Sequence, residues 1–275
     1  MLLTISPMTE LGAQNAGNRT FQFLAHRGSR FEFDENTMEA FRRSYDAGAR
    51  GFEIDVRMTG DGDLILSHDE SLYRTCGVDV QTEDLTTEEC RRLRTRQGNP
   101  LAFCDEFCDF LSDKEDMYVE FEIKTVDWLY TQAMLDDLID KLYHMAMAHK
   151  PASSCYVFSS FDKRALTTMK ARHPDAELML LKTQPCSASV VMEARRMGIH
   201  RIACKMDGST RAAVDYAHDI GMSVSLWPVA SRHDLLLGIA LGSDCLCCDA
   251  VIDVAGWCQS YLPFIQTKGW CPLLK

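Results

Sequence analysis

The chain has 275 residues, of which 46% are hydrophobic and 25% are charged, a balance typical of a globular protein with a sizeable core. Its formal net charge is −11 and it has no basic run, which argues against nucleic acid as a partner. No stretch reaches the roughly 20 apolar residues of a membrane-spanning helix, so we expect no integral membrane segment. The oligomeric state is left open.

Twelve cysteines are scattered along the chain, and the densest group is Cys245, Cys247 and Cys248. On a strand Cys245 and Cys247 face one way and Cys248 the other, which is poor geometry for one zinc ion. The start of the chain has only a short apolar patch and no basic n-region, so we expect no secretory signal. These features predict reduced, mostly buried thiols in a cytoplasmic protein.

Short apolar or alternating runs typical of strands recur along the chain, at 21–26, 51–56, 117–123, 155–158, 177–181, 199–203, 222–227 and 244–248. The segments between them have helical apolar spacing, and several end on glycine. Eight strands alternating with helices predict an α/β fold, a (β/α)8 TIM barrel over residues 20–275 after an N-terminal extension, 1–19. The alternative is an open doubly wound sheet, which the lack of a glycine-rich dinucleotide motif disfavours.

The interval between the second and third runs is far longer than one crossover helix needs. It begins with an Asp61-Gly62 dipeptide typical of a hairpin turn and continues through "LTTEECRRLRTRQG", which predicts a short capped helix. We therefore expect a small helical insertion after strand two, at about 70–115, over the barrel face where active sites form.

Paired carboxylates mark the second run. Glu53 and Asp55 are two residues apart, so on a strand both face the same side, and burying them is costly without a neutralising charge. The neutralising charge can come from Arg or Lys in a structural cluster, or from a bound hard divalent cation. This pair of carboxylates alone does not decide between the two.

The third run repeats the pattern with Glu120, Glu122 and Lys124 on one face. A simple Glu–Lys pair at a barrel end is one interpretation. Because the carboxyl ends of barrel strands converge, Glu122 is also expected to join Glu53 and Asp55 around one ion. Lys124 then lies where an anion bound to that ion would be.

Two of the eight histidines stand out. His26 ends the first run and precedes Arg27 and Gly28, and His68 ends the hairpin strand. Imidazoles titrate near neutrality, so one histidine above the acidic site suits a base and the other an acid. Arg27 can bind two phosphate oxygens, and Gly28 permits close approach of the backbone.

The motifs "HRG" at 26–28, "ENT" at 35–37, "EIDV" at 53–56, "DGDLILSHD" at 61–69 and "EIK" at 122–124 resemble those of glycerophosphodiester phosphodiesterases in order and spacing. "SSF" at 159–161, Trp227 and "GSDCLCCD" at 242–249 extend the resemblance over roughly 21–250. The chain departs from the family pattern at Asp34, where Pro is common, and at Cys247 and Cys248, where Ile and Thr are usual.

The resemblance implies metal-dependent hydrolysis of a small-molecule glycerophosphodiester to glycerol 3-phosphate and an alcohol. It also implies the roles of the site residues: one divalent cation (Mg²⁺ or Ca²⁺, or else Mn²⁺) on Glu53, Asp55 and Glu122, acid–base catalysis by His26 and His68, phosphate contacts from Arg27 and Lys124, and support from Glu35, Asn36, Glu120 and Trp227. The alternatives are another metal-dependent barrel enzyme, lysophospholipase D-like or a sugar-phosphate isomerase or aldolase, and a non-catalytic phosphodiester-binding barrel.

Overall fold

The structure, a computed structural model, describes residues 20–125 and 129–271. The N-terminal extension expected over 1–19 lies outside the described residues. Within the described part of the chain, no helix is both long and apolar enough to cross a bilayer.

Eight parallel strands of the described chain form a closed barrel, which confirms the predicted fold class. They are β1 (Thr20–His26), β2 (Gly51–Met58), β4 (Tyr118–Ile123), β5 (Cys155–Ser160), β6 (Glu177–Pro185), β7 (Arg201–Lys205), β8 (Ser223–Val229) and β9 (Cys245–Cys248). Each strand pairs with the next, and β9 and β2 both pair with β1, which closes the barrel. Two short strands extend the sheet, β3 (Leu64–Leu66) antiparallel to β2 and β10 (Gln266–Lys268) on β1.

Helices follow the strands. In the described chain they are α1 (Met38–Ala47), α2 (Tyr73–Cys76), a 3₁₀ turn (Thr82–Asp84), α3 (Thr87–Arg92), α4 (Cys104–Leu111), α5 (Gln132–Ala148), α6 (Lys163–Arg172), α7 (Ala188–Arg196), α8 (Arg211–Asp219), α9 (Arg232–Leu241) and α10 (Val251–Tyr261). The sequence signals account for the ends of α1, because the Thr37 side chain accepts a hydrogen bond from the Ala40 amide and Gly48 ends the helix at positive φ.

The main core lies between the barrel and its helices. Phe52, Ile54 and Val56 alternate along β2 with the two carboxylates and are fully buried in this core. The ring of Phe41 on α1 lies 4.5 Å from that of Phe107 on α4 and 5.7 Å from that of Phe52, measured between centroids. This packing fixes the outer face of β2, so its alternate residues must point into the barrel.

The segment 70–115 contains two kinds of packing. Leu72, Cys90, Leu101 and Phe103 form a small separate core with Ile65, and this part lies beside the strand ends near His68. Helix α4 instead packs in the main core through Phe107. Within the predicted insertion, the part before α4 packs as a separate core, and we call that part the inserted subdomain.

Candidate functional site

A cavity opens at the carboxyl ends of the barrel strands. Its polar lining residues are His26, Arg27, Glu53, His68, Glu120, Glu122, Lys124, Ser159 and Ser225. Its largely apolar lining residues are Phe161, Leu181, Ala203, Trp227 and Cys247. Six of the seven catalytic, phosphate-binding and metal-binding candidates therefore line this cavity, as do the supporting residues Glu120 and Trp227. The seventh, Asp55, lies next to the cavity-lining Glu53 and Glu122.

Three carboxylates meet at one point. Glu53 and Asp55 on β2 and Glu122 on β4 each place an oxygen within 4.8 Å of the others. The strand register causes this, because Asp55 lies directly opposite Glu122. All three side chains are buried, and within the described chain Glu53 Oε1 has no hydrogen-bond partner. A buried carboxylate oxygen without a donor is unfavourable, so this donor set fits a hard divalent cation.

The two cations of the site, Arg27 and Lys124, lie on these carboxylates. Arg27 Nε is 3.2 Å from Asp55 Oδ2, and Lys124 Nζ is 3.1 Å from Asp55 Oδ1 and 2.5 Å from Glu122 Oε1. Three carboxylates and two cations carry a formal charge of −1. A divalent cation reverses this to +1, which matches the single negative charge of a phosphodiester.

The pKa values reflect this crowding. Burial and the neighbouring charges of Asp55 and Glu122 raise the pKa of Glu53 well above its usual range. Burial raises the pKa of Glu122 as well. Burial opposes ionisation of Asp55 too, but Lys124 and Arg27 hold its pKa well below the usual range. Burial and neighbouring negative charge therefore disfavour the ionised forms of Glu53 and Glu122, whereas the two cations favour the ionised form of Asp55.

His26 is oriented by a residue that sequence reasoning missed. Its Nδ1 lies 2.5 Å from Asp249 Oδ1, and Asp249 is fully buried beyond the end of β9. Arg30 holds the same carboxylate through contacts of 2.6 and 2.9 Å. The Nε2 of His26 is thereby directed toward Glu53 Oε2, 3.7 Å away. Burial lowers the pKa of His26, and the hydrogen bond to Asp249 offsets only part of this effect.

His68, which also lines the cavity, has a similar arrangement. Its Nδ1 lies 2.7 Å from Asp69 Oδ1, and Arg74 on α2 binds Asp69 through Nε at 2.6 Å. Arg74 also binds both carboxylate oxygens of Glu35 at 2.7 Å. Glu35 in turn accepts from Arg27 at 3.1 Å. Arg74 therefore connects Asp69, the partner of His68, to Glu35, the partner of Arg27. It is another residue that sequence reasoning missed.

The remaining candidates lie close by. Asn36 donates to Asp55 Oδ2 at 2.8 Å, and the ring of Trp227 lies edge-on to Phe161 with 5.9 Å between centroids. Glu120 lines the cavity below the three carboxylates, and burial raises its pKa to about 8, so its carboxyl group is mainly protonated at neutral pH.

Gly28 has a packing role. Its φ is +79°, and a Cβ there would lie 2.9 Å from the Cβ of Ala40 on α1. Arg27 also has positive φ, so the chain turns sharply after β1. The glycine is required because α1 packs against this turn.

Asp34 takes a structural role in this chain. Its carboxylate accepts from the Asn99 amide at 3.1 Å and from the hydroxyl of Thr95. These bonds tie the loop before α1 to the inserted subdomain, which a proline at this position would not do.

Fold and site together define a (β/α)8 barrel whose acidic cavity is flanked by two carboxylate-oriented histidines. The chain belongs to the glycerophosphoryl diester phosphodiesterase family, whose model matches residues 26–253 and confirms the resemblance seen in the motifs.

Individual relatives share parts of the chain. A glycerophosphodiester phosphodiesterase of Caldanaerobacter subterraneus subsp. tengcongensis is 30% identical over 182 residues, which are 62% of this chain and 72% of that protein. The uncharacterized protein YqiK of Bacillus subtilis is 35% identical over 109 residues, 38% of this chain and only 45% of that protein. A phosphodiesterase of Oleispira antarctica, solved with its product sn-glycerol-3-phosphate, is 20% identical. It superposes with a TM-score of 0.77, covering 86% of this chain and 95% of that one, so the barrel fold is shared.

Proposed function

We propose that this chain hydrolyses glycerophosphodiesters to glycerol 3-phosphate and an alcohol, with one divalent cation, Mg²⁺, Ca²⁺ or Mn²⁺, in its site. The observation that carries the proposal is the set of three buried carboxylates in a cavity lined by two histidines, whose Nδ1 atoms each contact a further carboxylate. Family membership and the product bound to the Oleispira relative support the same substrate class. The twelve unpaired cysteines support the cytoplasm as its compartment.

Glu53, Asp55 and Glu122 would hold the cation. Bound there, it would neutralise charge that develops on the phosphoryl oxygens in the transition state. Arg27 and Lys124 would contact oxygens of the substrate phosphate.

His26 takes the proton of the attacking hydroxyl, from water or from the neighbouring glycerol hydroxyl, on Nε2. Its contact with Asp249 keeps the Nδ1 proton in place and stabilises the imidazolium that forms. His68 gives a proton to the leaving alkoxide. Burial lowers the pKa of His68, and an incoming phosphodiester anion opposes that effect, because a nearby negative charge favours the protonated imidazole.

Turnover of glycerophosphocholine tests the proposal. We expect the rate to vanish with a chelator and to return with Mg²⁺, Ca²⁺ or Mn²⁺. Equal turnover by the ion-free protein would refute the metal role. Binding of glycerophosphocholine without turnover would identify a non-catalytic barrel, and turnover of sugar phosphates alone would identify an isomerase or aldolase.

The two histidines are separated by the choice of leaving group. We expect His26→Ala and His68→Ala each to lower the maximal rate about 10²–10⁴-fold, with the fold retained. A p-nitrophenyl phosphodiester needs little help from an acid, so only His68→Ala should recover much of its rate on it. Rescue of His26→Ala alone would reverse the roles. His144→Ala, on the exposed face of α5, is the matched control and should leave both rates unchanged.

The apolar lining of the cavity favours a second candidate, lysophospholipase D-like activity. Phe161 is 42% exposed at the cavity and faces Trp227, which offers an apolar surface to a fatty acyl chain. Comparing kcat/KM for lysophosphatidylcholine and glycerophosphocholine decides between the two substrates, and Phe161→Ala should reduce turnover of the acylated one more.

A further inference from the structure

A second group of metal-ligating atoms lies in the same cavity. His26, Glu53 and Cys247 each place one ligand atom within 4.8 Å of the others. They come from three neighbouring strands, because β9 and β2 both pair with β1: Cys247 lies opposite Leu24, and His26 lies opposite Glu53. Cys247 is 6% exposed and Glu53 is 5% exposed, so the group is shielded but borders the cavity.

The ligand chemistry of this group differs from that of the three carboxylates. A thiolate, an imidazole and a carboxylate are each zinc ligands, and three protein ligands leave the fourth tetrahedral position open. Thiolate ligands select soft ions, whereas Mg²⁺ and Ca²⁺ prefer oxygen ligands alone. Zinc ligands at 2.0–2.3 Å from the ion lie about 3.5 Å apart, so small side-chain rotations complete the geometry.

An unpartnered group points to a ligand here. Among the described residues Glu53 Oε1 is buried without a hydrogen-bond donor, although Glu53 Oε2 contacts the Arg27 amide at 3.3 Å. Glu53 belongs to both groups of ligand atoms, so an ion on the three carboxylates or an ion bound by His26 and Cys247 would satisfy that oxygen. We propose that a thiophilic divalent cation, Zn²⁺ or its analogue Cd²⁺, binds His26, Glu53 and Cys247 and inhibits the enzyme.

Inhibition follows from the two shared residues. An ion on His26 Nε2 removes the nitrogen that takes the proton of the attacking hydroxyl. The same ion draws Glu53 away from the three-carboxylate set. This consequence rests on the proposed function, whereas binding itself does not.

The binding test adds Cd²⁺ to the full chain in excess Mg²⁺. Binding is monitored by the ultraviolet charge-transfer absorption of the thiolate–cadmium bond. Cys245→Ser is the matched control, because Cys245 lies two residues earlier on the same strand and is equally buried. We expect Cys247→Ser and Cys247→Ala to lose one equivalent of the absorption and Cys245→Ser to retain it. Absorption unchanged in both Cys247 variants would overturn the proposal, with circular dichroism confirming that they are folded.

The second test measures hydrolysis of glycerophosphocholine against Zn²⁺ at fixed Mg²⁺. Loss of a ligand should raise the half-inhibitory Zn²⁺ concentration by about 10–100-fold in Cys247→Ser, and leave it unchanged in Cys245→Ser. Equal inhibition of wild type and Cys247→Ser, or activation by Zn²⁺ through Cys247, would contradict the proposal. A protein that binds Cd²⁺ through Cys247 but hydrolyses no phosphodiester retains the site and refutes the proposed function alone.

Discussion

Replacing Asp249 by Asn tests how His26 is oriented. The carboxylate accepts at 2.5 Å from Nδ1 of His26, which leaves Nε2 of that ring facing the carboxylates. The asparagine keeps the size of the side chain, but its amide group can donate to Nδ1 and stabilise the tautomer with the proton on Nε2. In that tautomer His26 cannot accept a proton from the attacking hydroxyl.

The variant should change stability and rate by different amounts. Burial raises the pKa of Asp249, but hydrogen bonds from His26 and Arg30 outweigh this effect and lower the pKa from 3.8 to about 2. Each pKa unit corresponds to about 1.4 kcal/mol, so the folded protein stabilises this carboxylate by about 2 kcal/mol. That contribution is fully present above pH 3.8 and is lost as the pH falls through about 2. We expect Asp249→Asn to lower kcat about 10²–10⁴-fold at neutral pH.

The assay is steady-state hydrolysis of glycerophosphocholine in excess Mg²⁺, with thermal unfolding measured on the same samples. Asp244→Asn is the matched control, because Asp244 accepts from His218 at 2.8 Å, in a His–Asp pair outside the cavity. The control should lose stability without losing rate per folded molecule. A full rate in Asp249→Asn, or an equal loss in both variants, would refute this reasoning.

Three further predictions concern the inserted subdomain, the ion site and the core. Arg74→Met should lower kcat about 10–100-fold with the melting temperature nearly unchanged, because Asp69 and Glu35 lose a shared cation that is half exposed; an unchanged kcat would remove Arg74 from the site. Glu53→Gln should abolish the rise in melting temperature that Mg²⁺ gives the wild type, while the chelated proteins melt at similar temperatures; an intact Mg²⁺ shift would contradict the shared ion. Phe107→Ala should lower the free energy of unfolding by about 3–5 kcal/mol in urea denaturation, because the ring is fully buried, and a loss under 1 kcal/mol would show that α4 lies outside the core.

The periodicity of the sequence was sufficient for the barrel and for the grouping of the three carboxylates. Strand residues alternate between two faces, so Glu53 and Asp55 had to share one face with Phe52 and Ile54 on the other. The same rule placed Glu120 and Glu122 together, and convergence of the strand ends brought Glu122 to the first pair. Local signals, such as Thr37 before α1, were also readable because they act over a few residues.

Contacts between distant parts of the chain were decided only by the tertiary structure. Asp249 is 223 residues from His26, and they meet because β9 closes the barrel against β1. Arg74 reaches Glu35 from an inserted subdomain whose docking has no periodic signature. Cys247 looked like an ordinary buried thiol until β9 placed it beside His26. Sequence periodicity fixes which face a side chain occupies, whereas its partner across the barrel depends on strand order and register, which follow from packing of the whole chain.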